Sequence, residues 1–71
     1  MGHIGQRLEG LRKAKGFTRN QLAALTGVSS MTIVNWEKGV TVPTADIIVL
    51  LNKLYKVGYD YLLEGRGNPN V

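Results

Sequence analysis

Cysteine is absent from this 71-residue chain, so neither a disulfide nor a thiolate metal site can hold it together. Histidine occurs once, as His3, with no second histidine or cysteine at ligand spacing. It reads as a solvated residue near a terminus, and no metal is expected. Long apolar runs are missing too: the longest, Ala45 to Leu51, is interrupted by Asp46 and is far too short to span a bilayer. The opening MGHIGQRL lacks the apolar stretch of a signal peptide. Gln6 stands where an N-myristoylation signal needs Ser or Thr. These absences point to a soluble, cytoplasmic protein with no membrane partner. Carboxylates paired at a useful spacing and a phosphate-cradling glycine loop are also lacking, which leaves an enzyme as the weakest class. No cofactor or small-molecule ligand is expected.

Acidic residues are scarce: five against nine Lys and Arg, for a formal charge of +4. Their placement matters more than the total. Residues 1–38 hold six basic side chains (Arg7, Arg12, Lys13, Lys15, Arg19, Lys38) and two acidic ones, whereas residues 39–71 hold three of each. The excess therefore lies wholly in the first half, as suits a polyanionic partner; a basic face kept for solubility is the plainer alternative. A chain of this size buries only about 60% of its unfolded surface, so it must form a single compact helical core from its 44% apolar residues.

The organising stretch is Thr18 to Gly39, TRNQLAALTGVSSMTIVNWEKG. Thr18 and Gln21 form a capping-box signature at the start of one helix. Leu22, Ala23 and Leu25 give that helix an apolar surface. Gly27 ends it, because a sharp turn there needs positive φ. Ser29 can cap a second helix, on which Ile33 and Trp36 share a face, and Gly39 stops it. Two short helices across a glycine turn make a helix-turn-helix. The outer face of the second helix (Ser30, Met31, Val34, Asn35) carries no charge. An ordinary solvated helix would show Lys and Glu there, whereas a helix laid in a DNA major groove shows hydrogen-bonding and methyl-reading side chains.

The order Gln21-Leu22-Ala23, Gly27-Val28-Ser29, Ile33, Trp36-Glu37 and Gly39 resembles the Cro/C1-type (XRE, lambda-repressor-like) DNA-binding family, over roughly Ile4 to Gly65. The resemblance implies an all-α, compact five-helix fold with the helix-turn-helix at helices 2 and 3. It also implies a DNA-binding domain over residues 1–65, a flexible tail over 66–71, and duplex DNA as the partner. Ser29, Ser30, Met31 and Asn35 are then the candidates for reading bases. Asn can pair bidentately with adenine, and a Met methyl can lie against a thymine methyl. Thr18, Arg19 and Asn20, at a helix N-terminus, and Lys38 are candidates for phosphate contacts.

Around this unit, Ile4, Leu8 and Leu11 predict a first helix from about His3 to Lys15. Gly5 and Gly10 weaken it by about 1 kcal/mol each against Ala, which suits positions that another backbone approaches. Phe17 precedes the Thr18 cap and can pack back as a hydrophobic staple. Arg12 lies four residues after Leu8, and Glu37 four after Ile33, so opposite charges point inward from two helices. A salt bridge between them is expected, and the family resemblance supports it; two independent surface charges are the alternative.

After an irregular loop, Pro43-Thr44 begins a fourth helix running to about Tyr55, with Asp46 in its first turn. By family pattern Ala45, Ile48, Leu51 and Tyr55 face the core. Asn52 stands where relatives usually carry Ala, which implies a rotated helix or a local polar bond. Gly58 to Leu63 forms a short fifth helix, with Leu62 in the core. Ile47, Leu50, Leu54, Tyr59 and Tyr61 are left as a candidate homodimer interface, since such proteins commonly pair on DNA. The leading function is a transcriptional regulator, most simply a repressor on a palindromic operator. The rival is a protein-protein interaction module of antitoxin or adaptor type on the same fold.

Overall fold

The computed structural model describes residues 4–66. His3 and all but the first residue of the expected tail lie outside them. The described residues form α1 (Ile4–Ala14), α2 (Arg19–Thr26), α3 (Ser30–Lys38), α4 (Ala45–Tyr55) and α5 (Tyr59–Glu64), with no strand among them. The all-α, five-helix architecture is the expected one.

Each helix contributes to one core. Ile33, Leu51 and Leu62 are fully buried and come from α3, α4 and α5. Ile4 and Leu8 of α1, Leu22 of α2, Trp36 of α3, and Ile48 and Tyr55 of α4 close around them, with Val57 from the following turn. Phe17 packs against this cluster from just outside the Thr18 cap, in the staple position.

Local signals place the ends. Thr18 Oγ1 accepts from the Gln21 N–H at 3.0 Å while Gln21 Oε1 accepts from the Thr18 N–H at 2.8 Å, which completes the capping box. Gly27, at φ 77°, sits in the left-handed conformation that ends α2 and turns the chain into α3. The α4 stop is less ordinary: Lys56 holds φ 58° with a side chain in place of glycine.

Gly5 has a packing reason. A β-carbon there would stand 2.7 Å from the Glu37 carbonyl oxygen and would press on that of Trp36 as well, so α1 lies backbone-close on the end of α3. A β-carbon at Gly10, which is exposed, would meet nothing within 4 Å among the described residues. The expectation of a close approach therefore holds for one of the two glycines only.

Three other expectations need correction. Leu25 does not join the apolar surface of α2 but is 51% exposed, because the core-facing stripe passes instead through Leu22 and Thr26. Thr26 is tolerated in that stripe because its hydroxyl donates to the Leu22 carbonyl at 2.8 Å. Ala45 is exposed rather than facing the core, since it sits on the first, outlying turn of α4. Asn52 is buried, and its Oδ1 has no hydrogen-bond partner among the described residues, so of the two expected outcomes, a rotated helix or a local polar bond, the polar bond is not made at that atom.

Candidate nucleic-acid interface

The inner face of α3 is anchored. Ile33 is fully buried, and Trp36 and Glu37 are nearly so. Glu37 is held by two guanidinium groups. Arg12 Nε donates to Glu37 Oε2 at 2.7 Å and Arg12 Nη2 to Oε1 at 3.3 Å, a bidentate pair with both side chains over nine-tenths buried. Arg12 Nη1 also donates to the Phe17 carbonyl at 2.9 Å. The hydrogen bond to Glu37 holds the Arg12 guanidinium above its ordinary pKa, against the opposing effect of burial. One pair thus ties α1 to the end of α3 and to the α1–α2 link.

The outer face is open. Met31 is 63% exposed, and Ser29 and Lys38 are exposed. Ser30, Val34 and Asn35 are half-buried. By helical spacing Met31, Asn35 and Lys38 lie on the side of α3 away from Ile33 and Trp36, with Ser30 and Val34 at its flank and Ser29 at the cap.

Several candidate contacts already have partners within the chain. Ser29 Oγ caps α3, accepting from the Thr32 N–H at 3.1 Å, and shares a 2.9 Å hydrogen bond with the Thr32 hydroxyl. The Ser30 hydroxyl donates to Asn20 Oδ1, which links the first turns of α2 and α3. That bond occupies the Asn20 oxygen and leaves its amide donors for an outside acceptor. The Thr18 oxygen is used in the capping box. Arg19 is paired: its Nε donates to Glu37 Oε1 at 2.9 Å, and its Nη2 lies 3.6 Å from Glu9 Oε2. Of the base-reading candidates, Met31 and Ser29 are exposed, and Ser29 already spends its hydroxyl on the cap.

Sequence reasoning missed two things here. Glu9 bridges Lys13 at 3.3 Å as well as Arg19, so α1 joins the charge cluster at the start of α2. The i, i+4 spacing of Glu9 and Lys13 was a usable signal for half of this. Arg7 donates from Nε to the Leu62 carbonyl at 3.1 Å and from Nη2 to that of Leu63 at 2.6 Å, capping the end of α5 from the opposite end of the chain. Nothing local in the sequence announces that contact.

On the far side, Ile47 and Leu54 are half-buried against the core, as is Tyr61. Leu50 is half-buried as well, whereas Val49 and Tyr59 are 41% and 51% exposed. The five residues considered for dimerisation are thus mostly part-covered by their own chain. Among the described residues no group of acidic and histidine side chains could hold a metal, and no helix is long and apolar enough to cross a membrane.

A family model described as Helix-turn-helix matches residues 8–62. RghRB of Bacillus subtilis (strain 168), an uncharacterized HTH-type transcriptional regulator, is 39% identical over 69 residues, covering 96% of this chain and 50% of that protein. The repressor protein C2 of Salmonella phage P22 is 32% identical over 62 residues, covering 87% of this chain and 29% of that protein. A crystal structure of the P22 c2 repressor in complex with synthetic operator 9T, in the presence of Tl+, superposes with a TM-score of 0.82 at 32% identity, over 89% of this chain and 96% of that one. The chain spans between 29% and 58% of the length of the curated relatives it matches.

Proposed function

The chain belongs to the Cro/C1-type helix-turn-helix family, and from that premise we propose that it is a sequence-specific, double-stranded DNA-binding transcriptional regulator. It acts as a repressor, binding a palindromic operator as a dimer with α3 in the major groove. The observation that carries this is the division of α3: Ile33, Trp36 and Glu37 are locked inward while Met31 is left outward, with Ser30, Val34 and Asn35 half-buried beside it. A solved relative of the same fold is an operator complex, which supports duplex DNA as the partner.

In this reading Met31 lays its methyl against a thymine methyl and Asn35 addresses an adenine edge. Ser29 and Ser30, whose hydroxyls are committed at the start of α3, add contacts of low discrimination. Thr18, Arg19, Asn20 and Lys38 meet phosphates and set the register of the helix. Ile47, Leu50, Leu54, Tyr59 and Tyr61 form the two-fold contact that spaces two α3 helices about 34 Å apart. A protein that works on an operator in this way is cytoplasmic.

Selection of bound sequences from random duplex DNA, followed by salt titration on the selected site, tests the proposal. A recovered palindrome and a steep fall of affinity with salt are expected. Met31→Ala should alter base preference, while Lys38→Ala weakens all sequences alike and lowers the salt slope by about one. Binding that is indifferent to salt, or confined to a protein partner, would put the interaction-module alternative in its place. A strict monomer by sedimentation, even on the selected operator, would end the dimer.

A further inference from the structure

We propose that Glu9 sets how strongly this protein holds the phosphate backbone, by competing with phosphate for the Arg19 guanidinium. The proposal rests on the DNA-binding reading above and adds to it a residue outside the helix-turn-helix.

The geometry is that of a shared cation. Arg19 stands in the first turn of α2, where the helix N-terminus already favours an anion. Its Nε is committed to Glu37 at 2.9 Å. Glu37 does not depend on it, because Arg12 satisfies the same carboxylate bidentately. The terminal nitrogens of Arg19 are what remain for a ligand, and Nη2 lies 3.6 Å from Glu9 Oε2. That contact is an ion pair rather than a hydrogen bond, so a phosphate oxygen can replace it by forming a shorter, better-aligned one. The Arg19 side chain is 43% exposed and open to such an exchange.

Glu9 is placed to resist it. Its side chain is 34% exposed and rests between Lys13, at 3.3 Å, and Arg19. An arriving phosphate therefore meets an arginine that is already part-neutralised, with a negative charge a few ångströms behind it. In counterion terms, Arg19 beside Glu9 presents less than one full charge to the duplex. Glu9 also orients Arg19 between α1 and α2 in the free protein, so it acts as a positioning residue and as a brake.

The test is a double-mutant series on the full chain with a labelled random-sequence duplex of about two helical turns. Affinity is measured by fluorescence anisotropy across a salt series, and thermal melts confirm folding. Glu9→Gln should tighten binding about three- to tenfold at low salt and steepen the salt slope, with the gain vanishing at high salt. In an Arg19→Ala background the same change should give little or no gain. Glu9→Ala should behave as Glu9→Gln does. Equal gain with and without Arg19 would mean that Glu9 is merely a repelling surface charge, and would overturn the proposal. Unchanged or weaker binding by Glu9→Gln would overturn it as well. A wild-type protein with no salt-dependent duplex binding would instead remove the DNA-binding reading itself, and the proposal with it.

Discussion

Replacing Glu37 by Gln should be the most damaging near-isosteric change available in this protein. The Glu37 side chain is 3% exposed and that of Arg12 is 8% exposed. Glu37→Gln keeps shape and removes charge, which leaves the Arg12 guanidinium buried against an amide oxygen and the Phe17 carbonyl. Breaking one side of a buried pair costs about 3–5 kcal/mol. A domain of this length has roughly 4–10 kcal/mol of stability in total. A loss of that size lowers the melting temperature by roughly 15–30 °C. The three members should not be equivalent. Arg12→Ala leaves Glu37 with a second guanidinium, Arg19 at 2.9 Å, so its cost should be smaller, about 2–3 kcal/mol, part of it lost alkyl packing. Arg19 is 43% exposed and can turn to water, so Arg19→Ala should cost under about 1 kcal/mol.

Urea denaturation followed by Trp36 fluorescence checks this order, because the single tryptophan is buried beside the pair and reports its exposure. A cycle joining Arg12→Ala and Glu37→Ala should return a coupling above about 1 kcal/mol. Replacing both by apolar residues of similar volume should recover most of the loss. Additive single losses, or equal costs for Glu37→Gln and Arg19→Ala, would refute the argument that burial decides the hierarchy.

The other predictions follow from single sites. Gly5→Ala should destabilise by about 1–3 kcal/mol through its clash with the Trp36 and Glu37 carbonyls, whereas Gly10→Ala, in open space, should stabilise by about 0.5–1 kcal/mol; paired urea melts decide between them. Lys56→Gly should stabilise by up to about 1 kcal/mol, read as a higher melting temperature, because φ 58° suits glycine better than lysine. Burial, with the nearby Glu37 charge, pushes the Tyr55 hydroxyl up to about 12, against a smaller lowering by Arg12. The folded state therefore holds that proton more tightly than the unfolded chain. The associated stability is intact below about pH 10 and is lost as pH rises toward 12. Tyr55→Phe should flatten that alkaline loss in thermal melts. At neutral pH it should cost little, since the hydroxyl has no hydrogen-bond partner among the described residues.

The parts of the fold that were legible in the sequence are those specified by neighbouring residues. Thr18 with Gln21 and Gly27 with Ser29 define their turns within a few residues, and the structure has them as helix ends. The Arg12–Glu37 contact joins residues 25 apart, yet it was legible because each charge interrupts an apolar stripe and so needs a partner inside. The Arg7 contacts span 55 and 56 positions and left no such mark, because an arginine at the edge of a stripe is ordinary and a backbone carbonyl has no sequence identity. Ala45, placed in the core by family pattern, lies exposed on the first turn of α4, and Leu25 of α2 misled for a related reason. Periodicity over one short helix gives a face but not the depth to which neighbouring helices cover it. The phosphate candidates were chosen by type and position, and Arg19 shows what that omits: a cation's availability depends on which carboxylates the fold brings beside it.

The way α3 is fixed has a consequence for how such a surface can change. At its start, Ser29 caps the helix and Ser30 is bonded to Asn20. At its end, the Gly39 N–H reaches the Trp36 carbonyl at 3.1 Å, the Arg12–Glu37 pair holds the last turn, and Gly5 lets α1 lie against its backbone. None of these restraints uses Met31, Val34 or the Asn35 side chain. Substitutions at Met31 should therefore stay within about 0.5 kcal/mol of wild-type stability, as exposed positions usually do. Ser30 is the exception on this face, because removing its hydroxyl also frees Asn20 from α3. Sequence preference and stability are thus separable at Met31 and joined at Ser30. The test is a melting temperature measured beside a binding profile for each. If Met31→Ala lowers stability as much as Ser30→Ala does, the outer face is not independent of the scaffold.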